Sequence, residues 1–179
     1  SIVGCYRKMH IPDDPLYYEK FYFTPGDLGF QAVPTRFGPI GILLCWDQWF
    51  PEAARLTAMA GAQIIFCPTA IGYHPQDNSD EHRIQRESWQ VIQRSHAIAN
   101  GVYLAAVNRT GLEGQLRFWG TSFVTDPSGS IIDEASETQE GTLIVSCLLD
   151  KIESTRQNWP FFRDRRIDAY DGLTRRLLD

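Results

Sequence analysis

The chain has 179 residues, 43% of them hydrophobic and 22% charged, a balance that suits one globular domain with a sizeable core. Its 17 basic and 22 acidic residues leave a formal net charge of -5, which argues against nucleic acid or an anionic membrane as the main partner. There is no run of 18 apolar residues, so no membrane-spanning helix is expected.

In chain order, residues 2–6 read as a short strand. No Met precedes them, and the opening reads as the middle of an element, so a further portion upstream is expected. Residues 9–29 are loop-rich, punctuated by Pro12, Pro15, Pro25, Gly26 and Gly29. A strand is predicted over residues 30–37, a turn at Phe37-Gly38-Pro39, and a buried strand over residues 40–45 from its continuous apolar run. Pro51 near a first turn and Gly61 beyond the end bracket a helix over residues 51–59.

A second buried strand follows over residues 62–67, then a Pro68-Thr69-Ala70 loop and a polar stretch over 72–81. The longest helix is predicted over residues 82–100, stopped by Gly101, with Ile84, Ser88, Trp89, Ile92, His96 and Ala99 as its packing stripe. Residues 102–107 form a strand, and 120–125 with 130–134 a hairpin-like pair about Asp126-Pro127-Ser128-Gly129. A last strand is expected over 142–148 and a short helix over 150–156. Strands alternating with helices in the middle, then consecutive strands, predict an α/β layered domain. The arginines at 163, 165, 166, 175 and 176 are interleaved with Asp164, Asp168 and Asp171, which predicts a salt-bridged surface or subunit interface.

Cys5, Cys45, Cys67 and Cys147 are far apart, in apolar contexts and without metal-site spacing, so free thiols in a reducing cytoplasm are expected. One of them stands out. Cys45 ends an apolar run just before a helix, at Leu44-Cys45-Trp46. An elbow of that kind can expose a nucleophile and aim a neighbouring N–H at a developing oxyanion. Lys8, or equally Arg7 on spacing alone, could supply a cation beside the thiol. Glu19, among aromatics, could shuttle protons or simply belong to one face of a solvated turn. Trp46, Asp47, Gln48, Trp49 and Phe50 could wall a small-molecule pocket or pack the elbow. His96 reads as a hydrogen-bonded packing residue, and no glycine-rich phosphate cradle is present.

Three segments carry a resemblance. Tyr6-Arg7-Lys8-Met9-His10-Ile11-Pro12, Phe23-Thr24-Pro25-Gly26 and the run from Leu44 to Arg55 resemble the nitrilase superfamily of carbon–nitrogen hydrolases. Pro68-Thr69-Ala70-Ile71-Gly72, Ala106-Val107-Asn108-Arg109-Thr110-Gly111 and the tail from Asn158 to Arg166 extend it over essentially the whole chain.

The resemblance implies an α-β-β-α four-layer sandwich, one domain over residues 1–179, with 150–179 a tail in subunit contacts of a homo-oligomer. It implies Cys45 as nucleophile, Lys8 as its cation, Glu19 as an auxiliary carboxylate and the Trp46 N–H as oxyanion donor. Asp47, Gln48, Trp49, Pro68, Thr69, Ala70 and Asn108 are the expected substrate-binding residues. No metal and no cofactor are implied. The general-base glutamate of the family and the first strands and helices of its sandwich are expected upstream of Ser1. The expected reaction is hydrolysis of a ureido or amide bond in a small carbamoylated amine. Relatives acting on carbamoyl amino acids place arginine after the nucleophile, whereas here Asp47, Gln48 and Trp49 follow it, so N-carbamoylputrescine is predicted over N-carbamoyl-β-alanine. An amidase acting on an N-carbamoyl amino acid or a simple amide, and a catalytically inactive fragment or interaction module, are the alternatives.

Overall fold

The computed structural model describes residues 1–178. Its centre is a six-stranded sheet in the spatial order Ile131–Glu134, Phe123–Thr125, Tyr103–Asn108, Ile64–Thr69, Ile40–Ile42, Ala32–Val33. The inner strands are β4 (Ile40–Ile42), β5 (Ile64–Thr69) and β7 (Tyr103–Asn108), which run parallel, with Gly41 opposite Ile65 and Ile65 opposite Leu104. The antiparallel outer strands are β3 (Ala32–Val33) on one side and β10 (Phe123–Thr125) with β11 (Ile131–Glu134) on the other. Parallel neighbours need crossovers, and two helices provide them: α1 (Pro51–Met59) between β4 and β5, and α2 (Ser79–Asn100) between β5 and β7.

The boundaries of α1 follow its chemistry, with Pro51 at its first position. Asn78 caps α2 by accepting from the N–H groups of Asp80 and Glu81, while the Glu81 side chain accepts from the Asn78 N–H. Gly101 ends α2 in the left-handed conformation, at φ 55°. The core lies between these helices and one face of the sheet: Leu43, Ile65, Cys67, Leu104, Ala106 and Phe123 meet Ala53, Ala54, Ala58, Trp89 and Ala97. Gly41 lets α1 approach, since a Cβ there would stand 2.2 Å from Thr57 Cγ2. Strand alternation turns Phe66 and Val107 to the opposite face, where they are 37% and 47% exposed.

A second sheet of three strands, β6 (Gly72–Tyr73), β9 (Leu116–Trp119) and β8 (Thr110–Glu113), stands beside the first. A two-residue ladder of β1 (Asp13–Asp14) and β2 (Tyr17–Tyr18) interrupts the loop-rich region. Helix α3 (Asp150–Asn158) opens the tail.

Two predicted strands do not form. Residues 2–6 and 142–148 pair with no strand among the described residues, and Ile2 and Ile144 are 94% and 91% exposed. Apolar alternation makes a strand only where an edge offers hydrogen bonds, and Gly4 meets β3 through the Val33 side chain instead. The strand predicted over 30–37 shrinks to Ala32–Val33, and β5 runs on through Pro68 and Thr69, which were expected in a loop. The β8–β9 hairpin was not predicted.

Candidate active site

Cys45 lies three residues beyond the end of β4 and opens a 3-10 turn, Cys45–Trp49. Its φ is 51°, in the left-handed region that a residue with a Cβ avoids. The turn therefore lifts the thiol out of line with the strand. Among the described residues no acceptor takes the Trp46 N–H, which leaves a free donor beside the thiol.

Lys8 and Glu19 reach the same place from the loop-rich region. Their side chains meet with Lys8 Nζ 2.5 Å from Glu19 Oε2, and the lysine side chain is only 10% exposed. A hydrogen bond from the Gly26 N–H to the Lys8 carbonyl, 2.7 Å, folds the Phe23–Gly26 segment against it. Lys8, Glu19, Cys45, Pro68, Thr69 and Ala70 line one cavity of about 920 Å³. Arg7, at its rim, is paired with Asp27 at 2.7 Å. Of the two cations that sequence left open, Lys8 is the buried one.

Cys45 and Ala70 also border a second cavity of about 460 Å³. Trp46, Trp49 and Gln48 line it, together with Tyr17, His74 and Trp119, which the sequence did not bring into the site. The signal for Trp119 lay in the unrecognised hairpin: Leu116 and Phe118 are buried while Arg117 is exposed, about a turn where Gly114 has φ 58°. Burial holds the Tyr17 hydroxyl above the usual range for tyrosine.

Of the expected pocket residues, Asp47 and Asn108 lie outside both cavities, and Gln48 is tied down where it reaches the second. Asp47 is fully buried and lines neither cavity. Its carboxylate accepts from Tyr6 Oη at 2.6 Å, the His10 N–H at 2.8 Å, His10 Nδ1 at 2.7 Å, the Met9 N–H at 3.3 Å and the Leu44 N–H at 3.2 Å. Burial, then that bond to Asp47, pushes the Tyr6 hydroxyl well above the tyrosine range. Gln48 reaches the second cavity with its amide already occupied. Its Oε1 accepts from Trp89 Nε1 at 2.9 Å and Gln93 Nε2 at 2.8 Å, and its Nε2 donates to Thr69 Oγ1 at 3.2 Å. Its carbonyl accepts from His96 Nε2 at 2.8 Å, so His96 is the packing residue that its sequence position suggested. Asn108 borders neither cavity at Cys45. Its amide pairs with the Ile71 backbone, accepting at 2.9 Å and donating at 3.0 Å, and so fixes the loop that carries Ala70.

The four cysteines are free. Cys67 is fully buried, and desolvation drives its thiol far above the usual range, so it stays protonated. Cys45, by contrast, shares a cavity with Lys8.

A parallel α/β sheet with a cysteine at a strained elbow and a lysine–glutamate pair facing it is the architecture of the nitrilase fold. The chain belongs to the carbon–nitrogen hydrolase family, whose model matches residues 1–157. It is 49% identical to N-carbamoylputrescine amidase of Arabidopsis thaliana over 179 residues, covering 96% of this chain and 59% of that protein. It is 40% identical to a citrullinase of Francisella tularensis, covering 98% of this chain and 62% of that protein. Among solved structures it superposes on a carbon-nitrogen hydrolase from Helicobacter pylori G27 with a TM-score of 0.97 at 49% identity, covering 99% of this chain and 63% of that one. The chain thus spans about three fifths of the relatives it matches.

Proposed function

We propose that the chain carries the nucleophile of an amidase that hydrolyses N-carbamoylputrescine to putrescine, carbon dioxide and ammonia. The observation that carries this reading is the convergence of Cys45, at φ 51°, and the Lys8–Glu19 pair on one cavity. Cys45 Sγ, as thiolate, attacks the ureido carbonyl carbon and forms a C–S bond. Lys8 and the free Trp46 N–H stabilise the oxyanion. The C–N bond to the terminal nitrogen breaks, and that nitrogen takes a proton and leaves as ammonia. Water then attacks the S-carbamoyl carbon, the thiolate departs, and the carbamic acid falls to carbon dioxide and the free amine. Glu19 holds Lys8 in place, and the proton relay falls to the upstream glutamate that the family resemblance implies.

Charge supports the choice of substrate, although not through Asp47, which is spent beneath the elbow. Lys8 and Arg7 are both paired with carboxylates. The second cavity has no lysine or arginine in its wall; it has the Asp14 carboxylate and the rings of Tyr17, Trp46, Trp49 and Trp119. An ammonium finds aromatic faces and a carboxylate there, whereas a substrate carboxylate finds no free cation. The same reading makes the enzyme cytoplasmic, part of polyamine formation, and a homo-oligomer. Ammonia release from N-carbamoylputrescine, citrulline and N-carbamoyl-β-alanine tests it. The first substrate is expected to lead in kcat/KM by about tenfold or more, the worth of roughly one well-placed charge contact, and Cys45→Ala is expected to release no ammonia. Preference for either carboxylate-bearing substrate overturns the choice.

A further inference from the structure

We propose that Asp47 is a positioning residue that sets Lys8 against Cys45, a role that rests on the reading of Cys45 as nucleophile and Lys8 as its cation. Four of the five donors to its carboxylate belong to Tyr6, Met9 and His10, the residues on either side of Lys8. The fifth is the N–H of Leu44, immediately before Cys45. Asp47 itself stands two residues after Cys45, inside the same turn. One fully buried carboxylate therefore joins both sides of the elbow to both sides of the lysine.

Among the described residues no other side chain hydrogen-bonds to both segments. The lysine segment forms no strand ladder, so the placement of Lys8 is not fixed by sheet register. The second link is the His10 ring, which lies flat on Phe50 with centroids 3.7 Å apart and planes 4° from parallel. That ring is in turn held by Asp47 through Nδ1. A carboxylate only accepts, so both of its oxygens can face these donors. The isosteric amide of asparagine would turn an NH2 towards donors on one side, so Asp47→Asn releases part of the lysine segment without changing the volume of the site.

The test is the rate at which iodoacetamide alkylates Cys45, followed by peptide mapping so that Cys5 and Cys147 are scored separately. It requires no substrate, so an error in the choice of amine leaves it unaffected. Asp47→Asn is expected to slow alkylation of Cys45 about tenfold, and Lys8→Met by a similar factor, because each removes the cation from the thiol. The double variant is expected to lie within about twofold of Lys8→Met, since there is then no lysine left to position. Tyr6→Phe removes one donor and keeps the ring, so it guards against a variant that fails to fold. It is expected to slow the reaction about threefold, and not at all in the Lys8→Met background. Wild-type rates in Asp47→Asn or Tyr6→Phe overturn the proposal, as does a double variant slowed multiplicatively, about a hundredfold. A wild-type rate in Lys8→Met overturns the assignment of Lys8 itself, and the proposal with it.

Discussion

Cys45 and Cys67 both come at or near the end of an apolar run, and a difference of placement separates them. Cys67 lies inside β5, points into the core and is fully buried. Cys45 falls beyond the end of β4, where the chain turns through φ 51°. A non-glycine residue held there costs about 1–3 kcal/mol, kept in place by the surrounding bonds. That strain has a measurable consequence. Cys45→Gly relieves it and Cys45→Ala retains it, so the glycine variant is expected to exceed the alanine variant by about 1 kcal/mol in urea unfolding, while neither turns over substrate. Equal stabilities, or alanine the more stable, would show that the elbow is relaxed. The sequence pointed to Cys45 because its neighbours form a recognisable run. It misplaced Asp47 because a 3-10 turn sends successive side chains in different directions, and Asp47 and Gln48 are both buried.

Helix α2 shows why apolar periodicity found the element but only part of its buried face, Trp89 and His96. The predicted stripe began at Ile84, which is 52% exposed. The buried face consists of Trp89, Gln93, His96, Ala97 and Asn100, three of them polar, and Trp89, Gln93 and His96 all bond to Gln48. Hydropathy cannot see a polar stripe whose partners lie on another element. By contrast, α1 and the end of α2 were legible because Pro51 and Gly101 act locally. The state of residues 142–148, which form no strand, was not, because pairing is decided by remote neighbours.

The buried face of α2 also sets a pH dependence. Burial lowers the pKa of His96 below its ordinary value. The unfolded chain therefore takes up the proton first as the pH falls, and stability that is complete above about pH 6.5 declines progressively on acidification. Replacing His96 by Gln, which can still donate to the Gln48 carbonyl, is expected to flatten the fall in Tm between about pH 6.5 and 5 relative to the parent. Parallel Tm profiles for the two proteins would show that His96 is not the titrating group.

At the scale of the whole molecule, the tail ties together parts that are distant in sequence. Ile152 of α3 is buried, and Arg156 Nε donates to the Asn100 carbonyl at the end of α2 at 3.1 Å. Lys151 Nζ reaches Asp126 in the β10–β11 turn at 2.5 Å. Phe162 packs on the core between two guanidinium groups, Arg55 at 4.8 Å and Arg156 at 5.0 Å from its ring. Trp159 and Phe161 behave differently, remaining 48% and 45% exposed. Two arginines of the arginine-rich end pair with the interleaved aspartates, Arg163 on Asp164 and Arg166 on Asp168, surface contacts of small energetic weight. The tail therefore has an inward face and an outward one, and the two separate experimentally. Truncation after Leu149 exposes the surfaces under Ile152 and Phe162, which at about 1.5–3 kcal/mol for each fully buried side chain, less for the half-buried Phe162, comes to about 3 kcal/mol lost in urea unfolding. Phe162→Ala alone is expected to account for about half of it. Trp159→Ala with Phe161→Ala should leave the unfolding of the chain within about 0.5 kcal/mol, because exposed side chains have little burial to lose. If copies of the protein meet through this tail, the same pair of substitutions lowers the sedimentation coefficient at concentrations where the parent is assembled. An unchanged coefficient would confine the tail to its own domain, and an unchanged unfolding curve after truncation would leave it without the inward role as well.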